Sequence, residues 1–173
     1  LYPFNKFEVL VGSDASYDNT NRILQVYSQN YRHFYFFNYK LRRGKGAVIN
    51  ELRMHAKGKI LIITDANVLF RLNTLFHLVR FFRDKRVGFV DASPGTGFGK
   101  TDLMGGELSA YESRKRGFTT IPYGGCYAVR NEIFNEIPRR NLGDDIFLNL
   151  KALKSGYSSI RSHHARVDEE KTD

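Results

Sequence analysis

Apolar and polar positions fall into blocks whose period switches between strand and helix along the chain. Phe7 to Val11 is a short apolar run that predicts a buried strand, and Gly12 to Asn19 a polar turn rich in Ser, Asp and Asn. Asn19 or Thr20 stands where a helix cap belongs, ahead of an apolar face of Ile23, Leu24 and Tyr27. The aromatic run Phe34 to Tyr39 predicts a second strand. Gly44 to Gly46 opens a helix with Val48, Ile49 and Leu52 on one side and Gly58 as its stop. Ile60 to Thr64 is wholly apolar up to its last residue, the pattern of a strand covered on both faces. Asn73 caps a helix with Leu75, Leu78, Val79 and Phe82 inward, and Val87 to Ala92 is the next strand.

The second half reads differently. Pro94 to Lys100 holds three glycines and predicts a loop or hairpin tip, and Leu103 to Lys115 predicts a helix. Ile121 to Val129 is extended around Gly124-Gly125, a pair that suggests close backbone approach. Asn131 caps a short helix ended by Pro138. Ile146 to Lys154 is a helix with Ile146, Leu150 and Leu153 inward and Gly156 at its end. Ser158 to Arg161 is a last strand, and the charged tail from Arg166 is expected to fray. Strand and helix in turn predict an α/β fold with a mostly parallel sheet flanked by helices.

Composition adds bounds. A chain of 173 residues suffices for one domain with a real core. The single cysteine, Cys126, excludes an intrachain disulfide and fits a cytoplasmic protein. No stretch is long and apolar enough to span a membrane. The net charge of +9 suits an anionic partner, and a solvated basic surface explains it equally well. Lys and Arg are scattered, which argues against a nucleic-acid arm.

Four features carry candidate chemistry. Asp65-Ala66-Asn67 follows the apolar run ending at Thr64, and a lone carboxylate there is out of place as packing. Open α/β sheets bind ligands at the carboxyl ends of strands. An acid and an amide two apart offer oxygen to a hard cation, Mg²⁺ or Mn²⁺, and to the phosphates it carries. Asp14 lies too far before its helix to be a cap and could accept from a uracil N–H, whereas Asp18 and Asn19 read as caps. Arg42-Arg43-Gly44-Lys45-Gly46 suits an anion at a helix start without P-loop spacing, and a solvated basic turn is the other reading. Asp144-Asp145 are ordinary dipole-friendly acids at a helix start, or one of them takes a proton from an acceptor hydroxyl.

Together these stretches resemble family 2 glycosyltransferases with the GT-A fold. Val11 to Thr20 looks like that family's donor-base loop, and Gly44-Lys45-Gly46-Ala47 with Asn50 like its phosphate-side helix start. Asp65-Ala66-Asn67 stands at the family's Asp-x-Asp, with Asn67 in place of the second acid. Gly124 to Arg130 resembles the acceptor-side segment, and Asp144-Asp145 the Glu-Asp catalytic motif. The resemblance implies a Rossmann-like GT-A sheet, with residues 1–92 as the nucleotide-sugar half and 93–173 as the acceptor and base half. It also implies a single partial catalytic domain, truncated at both ends relative to the family pattern. By position Asp14, Lys45, Arg43 and Asp65 would bind the donor, and Asp65 with Asn67 the metal. Gly124 and Gly125 would face the acceptor. Asp145 would be the general base beside Asp144. The implied activity is inverting transfer of a hexosyl or N-acetylhexosaminyl group from a nucleotide-sugar, a UDP-sugar foremost, to a glycan or lipid-linked acceptor in polysaccharide or cell-envelope synthesis. Implied surroundings are the cytoplasmic face of a membrane reached through other parts of a parent protein, a possible homodimer, and no nucleic acid. A sugar-phosphate nucleotidylyltransferase, or a non-catalytic basic module with a transferase-like fold, are the alternatives.

Overall fold

A computed structural model describes residues 2–95, 122–139 and 143–170. The predicted helix Leu103–Lys115 and most of the predicted Pro94–Lys100 loop lie outside them. The chain forms two compact units, residues 3–58 with 136–141, and residues 59–135 with 142–173.

The first unit holds β1 (Val9–Asp14), α1 (Thr20–Asn30), β2 (Phe34–Tyr39) and α2 (Lys45–His55). β1 and β2 pair in parallel from Val9 opposite Phe34 to Asp14 opposite Tyr39. β1 therefore continues through Gly12-Ser13-Asp14, which the polar pattern had assigned to a turn. Ser13 is buried, and its hydroxyl donates to Ser16 Oγ at 2.9 Å, so a polar residue sits in the strand with its hydrogen bond satisfied. The predicted apolar face of α1 is not buried, since Ile23 and Tyr27 are about half exposed. α2 ends at His55, short of Gly58, because the Glu8 carboxylate takes up the Lys57 and Gly58 N–H groups. Asn50 clips residue 137 to α2: its amide donates to the Ile137 carbonyl, and its Oδ1 accepts the Ile137 N–H at 2.8 Å.

The second unit holds β3 (Ile60–Thr64), β4 (Val68–Phe70), α3 (Thr74–Val79), β5 (Val87–Pro94), β6 (Cys126–Arg130), α4 (Asp144–Lys154) and β7 (Ser158–Glu169). Its strands lie in the order β3-β6-β5-β7-β4. β6 runs antiparallel to both β3 and β5, β4 antiparallel to β7, and β5 parallel to β7. The sheet is mixed, not mostly parallel. Apolar runs report that a strand is covered, not which way it points.

β5 is buried on both faces, as its Val-rich run demands, while β3, at the sheet edge, is only half buried. On one face of the sheet Leu78, Phe82, Val90, Ala92, Cys126, Ala128, Ala165 and Val167 form the main core. On the other, Phe89 stacks on Tyr127 with centroids 5.2 Å apart, an offset pair that adds about 0.5–1.5 kcal/mol beyond burial alone. β6 alternates between the two sides, Cys126 and Ala128 toward the first, Tyr127 toward the second.

α4 buries Asp144, Leu148, Asn149 and Ala152, whereas Leu150 is half exposed, so the predicted inward set was out of phase. The helix starts two residues earlier than the apolar pattern suggested, with an acid as the first residue of its buried stripe. Past Asn131 only a three-residue 3₁₀ turn forms. The tail does not fray at Arg166. Val167 is buried in β7, and Asp168 forms a two-pronged pair with Arg71 at 2.7 and 2.8 Å.

Candidate functional site

In the first unit, β1 ends at Asp14 and the chain turns at Ala15 with φ 59°, a left-handed conformation. Asp14 Oδ1 accepts the Arg43 N–H at 2.7 Å, and Oδ2 accepts the Gly44 N–H at 2.8 Å. Both oxygens thus hold the turn before α2, and each keeps a second lone pair for another donor. Gly44 has φ +85°, which a side chain would strain, so the glycine permits this turn. The Arg43 guanidinium pairs with Glu51 and lies 5.0 Å from the Tyr39 ring centroid. Lys45 is exposed in the first turn of α2. Asp14, Arg43 and Lys45 are therefore neighbours along one turn, as the sequence suggested. Asn50, by contrast, is a structural clip.

In the second unit, a single turn gathers the remaining candidates. The short loop Asp65-Ala66-Asn67 joins β3 to β4, closed by the Val68 N–H donating to the Asp65 carbonyl at 3.3 Å. The Asp65 N–H donates to the Gly125 carbonyl at 3.0 Å, and the Thr64 hydroxyl donates to the same oxygen. Gly124 has φ +89°, and a Cβ built there would lie 2.9 Å from Asp145 Oδ2. The bare Gly124 backbone is thus packed against the Asp145 carboxylate, and any side chain at this φ would be strained. The Tyr123-Gly124-Gly125 turn touches Asp65 on one side and Asp145 on the other.

The two adjacent acids have different surroundings. Asp144 is buried, and its Oδ2 accepts the Tyr127 phenol at 2.5 Å. Burial, then the Asp144 charge, drive the Tyr127 phenol far above its ordinary range, so it stays a proton donor. Asp145 is half buried under the turn. Tyr123 gives its phenolic proton to Glu169, and burial with that bond raises it as well.

Asp91, on β5, is another acid of this region. Its Oδ2 accepts the Tyr123 N–H at 2.7 Å and Arg161 Nε at 3.0 Å. Burial pushes it up to about 6 against the opposing pull of the Tyr123 N–H and the Arg161 charge. Cys126 is buried and its thiol is pushed up to about 12 by desolvation, so it is a packing residue.

Tyr127, Tyr123 and Asp91 were missed in the sequence. Asp91 carried a signal of the same kind as Asp65, an acid inside an apolar run. The tyrosines carried none, because their roles depend on partners distant in the chain.

Asp65 and Asn67 fit a hard divalent cation. Both residue types carry oxygen, they share one turn, and Asp65, Asp91, Asp144, Asp145 and Glu169 gather around the segment Tyr123 to Tyr127, where Arg161 pairs with Asp91. Among the described residues no three His, Cys, Asp or Glu side chains form a complete cage. Among the described residues no helix is long and apolar enough to cross a membrane.

A family model, Glycosyl transferase family 2, matches residues 2–142. A dolichyl-phosphate beta-glucosyltransferase of Trichomonas vaginalis is 32% identical over 68 residues, covering 38% of this chain and 21% of that protein. The mannosyltransferase PcManGT from Pyrobaculum calidifontis, solved with GDP-Man and Mn²⁺, superposes with a TM-score of 0.82 at 26% identity, covering 97% of this chain and 49% of that one. TarS of S. aureus, solved with UDP-GlcNAc, superposes at 0.75 with 17% identity, covering 99% and 52%. GalNAc-T7, solved with UDP, GalNAc and Mn²⁺, superposes at 0.76 with 18% identity, covering 97% and 38%. The last two likenesses speak for the fold alone. The chain spans about half the length of the first two structures and about a fifth of the curated relative.

Proposed function

Because the chain belongs to glycosyl transferase family 2, we propose that it supplies the catalytic core of an inverting transferase that moves a sugar from a nucleoside diphosphate to an acceptor hydroxyl. The observation that carries this reading is the Tyr123-Gly124-Gly125 turn. It is hydrogen-bonded to the Asp65 backbone and packed on the Asp145 carboxylate, so a phosphate-side acid and a candidate base share one rigid support. Residues up to 92 serve the donor, and those from 93 onward serve the acceptor and the base. The donor is a UDP-sugar, hexosyl or N-acetylhexosaminyl. The acceptor is a glycan or lipid-linked hydroxyl. The family match removes the nucleotidylyltransferase alternative.

Each residue then has a chemical task. Asp14 accepts from the base of the nucleotide with the lone pairs left over from the Arg43 and Gly44 amides. Lys45 offers positive charge to the diphosphate from a helix N-terminus. Asp65 and Asn67 would hold the Mg²⁺ or Mn²⁺, whose charge, when bound, offsets that of the departing diphosphate. Asp145 takes the proton of the acceptor hydroxyl as its oxygen bonds to the anomeric carbon and the bond from that carbon to the diphosphate breaks. One displacement inverts the centre. Asp144, buried and accepting from the Tyr127 phenol, stands beside the base as its support.

Two measurements test the reading. Thermal-shift titration with UDP and with GDP, with and without Mn²⁺, should show metal-dependent stabilisation that vanishes in Asp65→Ala. No nucleotide response from either, at concentrations saturating for the family, would sink the donor site. Asp145→Asn should keep nucleotide binding and lose about a thousandfold or more in turnover. Near-normal turnover in that variant would refute the base.

A further inference from the structure

Asp91 is an acid inside an otherwise apolar strand and is only 3% exposed. One of its oxygens, Oδ1, is buried with no hydrogen-bond partner among the described residues. As packing this is a poor choice. A buried ion pair is commonly no better than apolar residues of the same volume, and an oxygen left unsatisfied makes it worse. Stability therefore does not account for the pair.

Its contacts do suggest a use. Oδ2 holds two donors: Arg161 Nε from β7 and the Tyr123 backbone N–H. Asp91 stands opposite Tyr127 on β6 and Arg161 on β7, at the centre of the sheet. The Arg161 side chain is itself mostly buried, 22% exposed. The carboxylate thus ties the first residue of the Tyr123-Gly124-Gly125 turn to the buried central strand of the sheet. Tyr123 is also held through its phenol on Glu169, and the remaining anchors lie further along the turn: the Gly125 carbonyl on Asp65, and Gly124 against Asp145. Asp145 lies against the bare Gly124 backbone, so the height of this turn bears on the room beside its carboxylate.

We propose that Asp91, oriented by Arg161, is a positioning residue: it fixes the Tyr123-Gly124-Gly125 turn against Asp145 and so sets where the acceptor hydroxyl sits. This rests on the reading of Asp145 as the base. Positioning of this kind matters because a displacement of about 1 Å costs on the order of a hundredfold in rate.

The test removes the pair without leaving an orphaned charge. In Asp91→Leu/Arg161→Met the thermal midpoint should stay within about 3 °C of the parent or rise. Amide exchange at Tyr123 to Gly125 should nevertheless accelerate about tenfold or more. Nucleoside diphosphate release from UDP-GlcNAc or GDP-Man with Mn²⁺, water serving as acceptor, should fall about tenfold or more in kcat with the donor KM within about twofold. Asp91→Asn keeps a carbonyl oxygen for the Tyr123 N–H and should recover turnover to within about threefold of the parent. Wild-type exchange and turnover in the double variant would overturn the proposal. So would losses that appear only together with a lowered midpoint, the mark of a merely structural pair. Exchange is read without nucleotide. It judges the turn even if the parent chain releases no nucleoside diphosphate, a result that counts against the functional reading alone.

Discussion

The Tyr127 phenol donates a hydrogen bond to Asp144 inside the core, and this bond gives two adjacent acids different surroundings. Asp144 anchors the first turn of α4, and Asp145, one residue on, meets the Gly124 backbone. In Tyr127→Phe a buried carboxylate loses a donor, at a cost of about 1–3 kcal/mol. The urea midpoint should fall accordingly, with unchanged slope and with nucleotide-induced stabilisation retained. An unchanged midpoint would show that the bond holds nothing. In the sequence, Asp144 and Asp145 stood out as a pair, and only the family resemblance, not the residues around them, told one from the other. Their difference comes from Tyr127 and Gly124, which local patterning does not place. Asp65 and Asp91 were both visible as acids in apolar runs, and only the one at a strand end drew notice.

At the level of elements, the alternation of strand and helix was legible because each period records a covered face. Strand direction was not, since neither the apolar run of antiparallel β6 nor the mixed run of parallel β7 records which way its strand lies beside β5. β4, three residues long, is too short to show a period. The full length of the last strand is not legible because Arg166 and Asp168 are charged, although Ala165 before them and Val167 between them are buried. The phase of α4 was misread because its buried stripe begins with Asp144, an acid that apolar periodicity discounts. The elements also differ in how well they are held. β1 and β2 form a two-stranded sheet with half-buried strands, whereas β5 and β6 are buried neighbours inside five strands. Two strands alone are marginal in water. Amides of β1 and β2 should therefore exchange about tenfold or more faster than those of β5 and β6 in native-state hydrogen exchange. Equal protection in both pairs would contradict this.

Over the whole molecule, a basic chain of net charge +9 gathers acids around one turn. The contrast suits an anionic donor drawn in by the overall field and a cation held locally. It also explains why composition left an anionic partner and a solvated surface equally open: net charge is a sum, and the cluster of acids is a local exception to it. One further property of the whole chain follows from β6. Its first residue, Cys126, directly follows Gly125, pairs across to Thr64, is fully buried, and is the chain's sole cysteine. A thiol-modifying reagent can reach it only when the strands that carry the turn part. The unmodified protein thus contains its own gauge of site opening. Labelling should be slowed by about three orders of magnitude or more relative to the urea-unfolded chain. Nucleotide with Mn²⁺ should slow it further, and that second delay would measure how tightly the ligand clamps these strands.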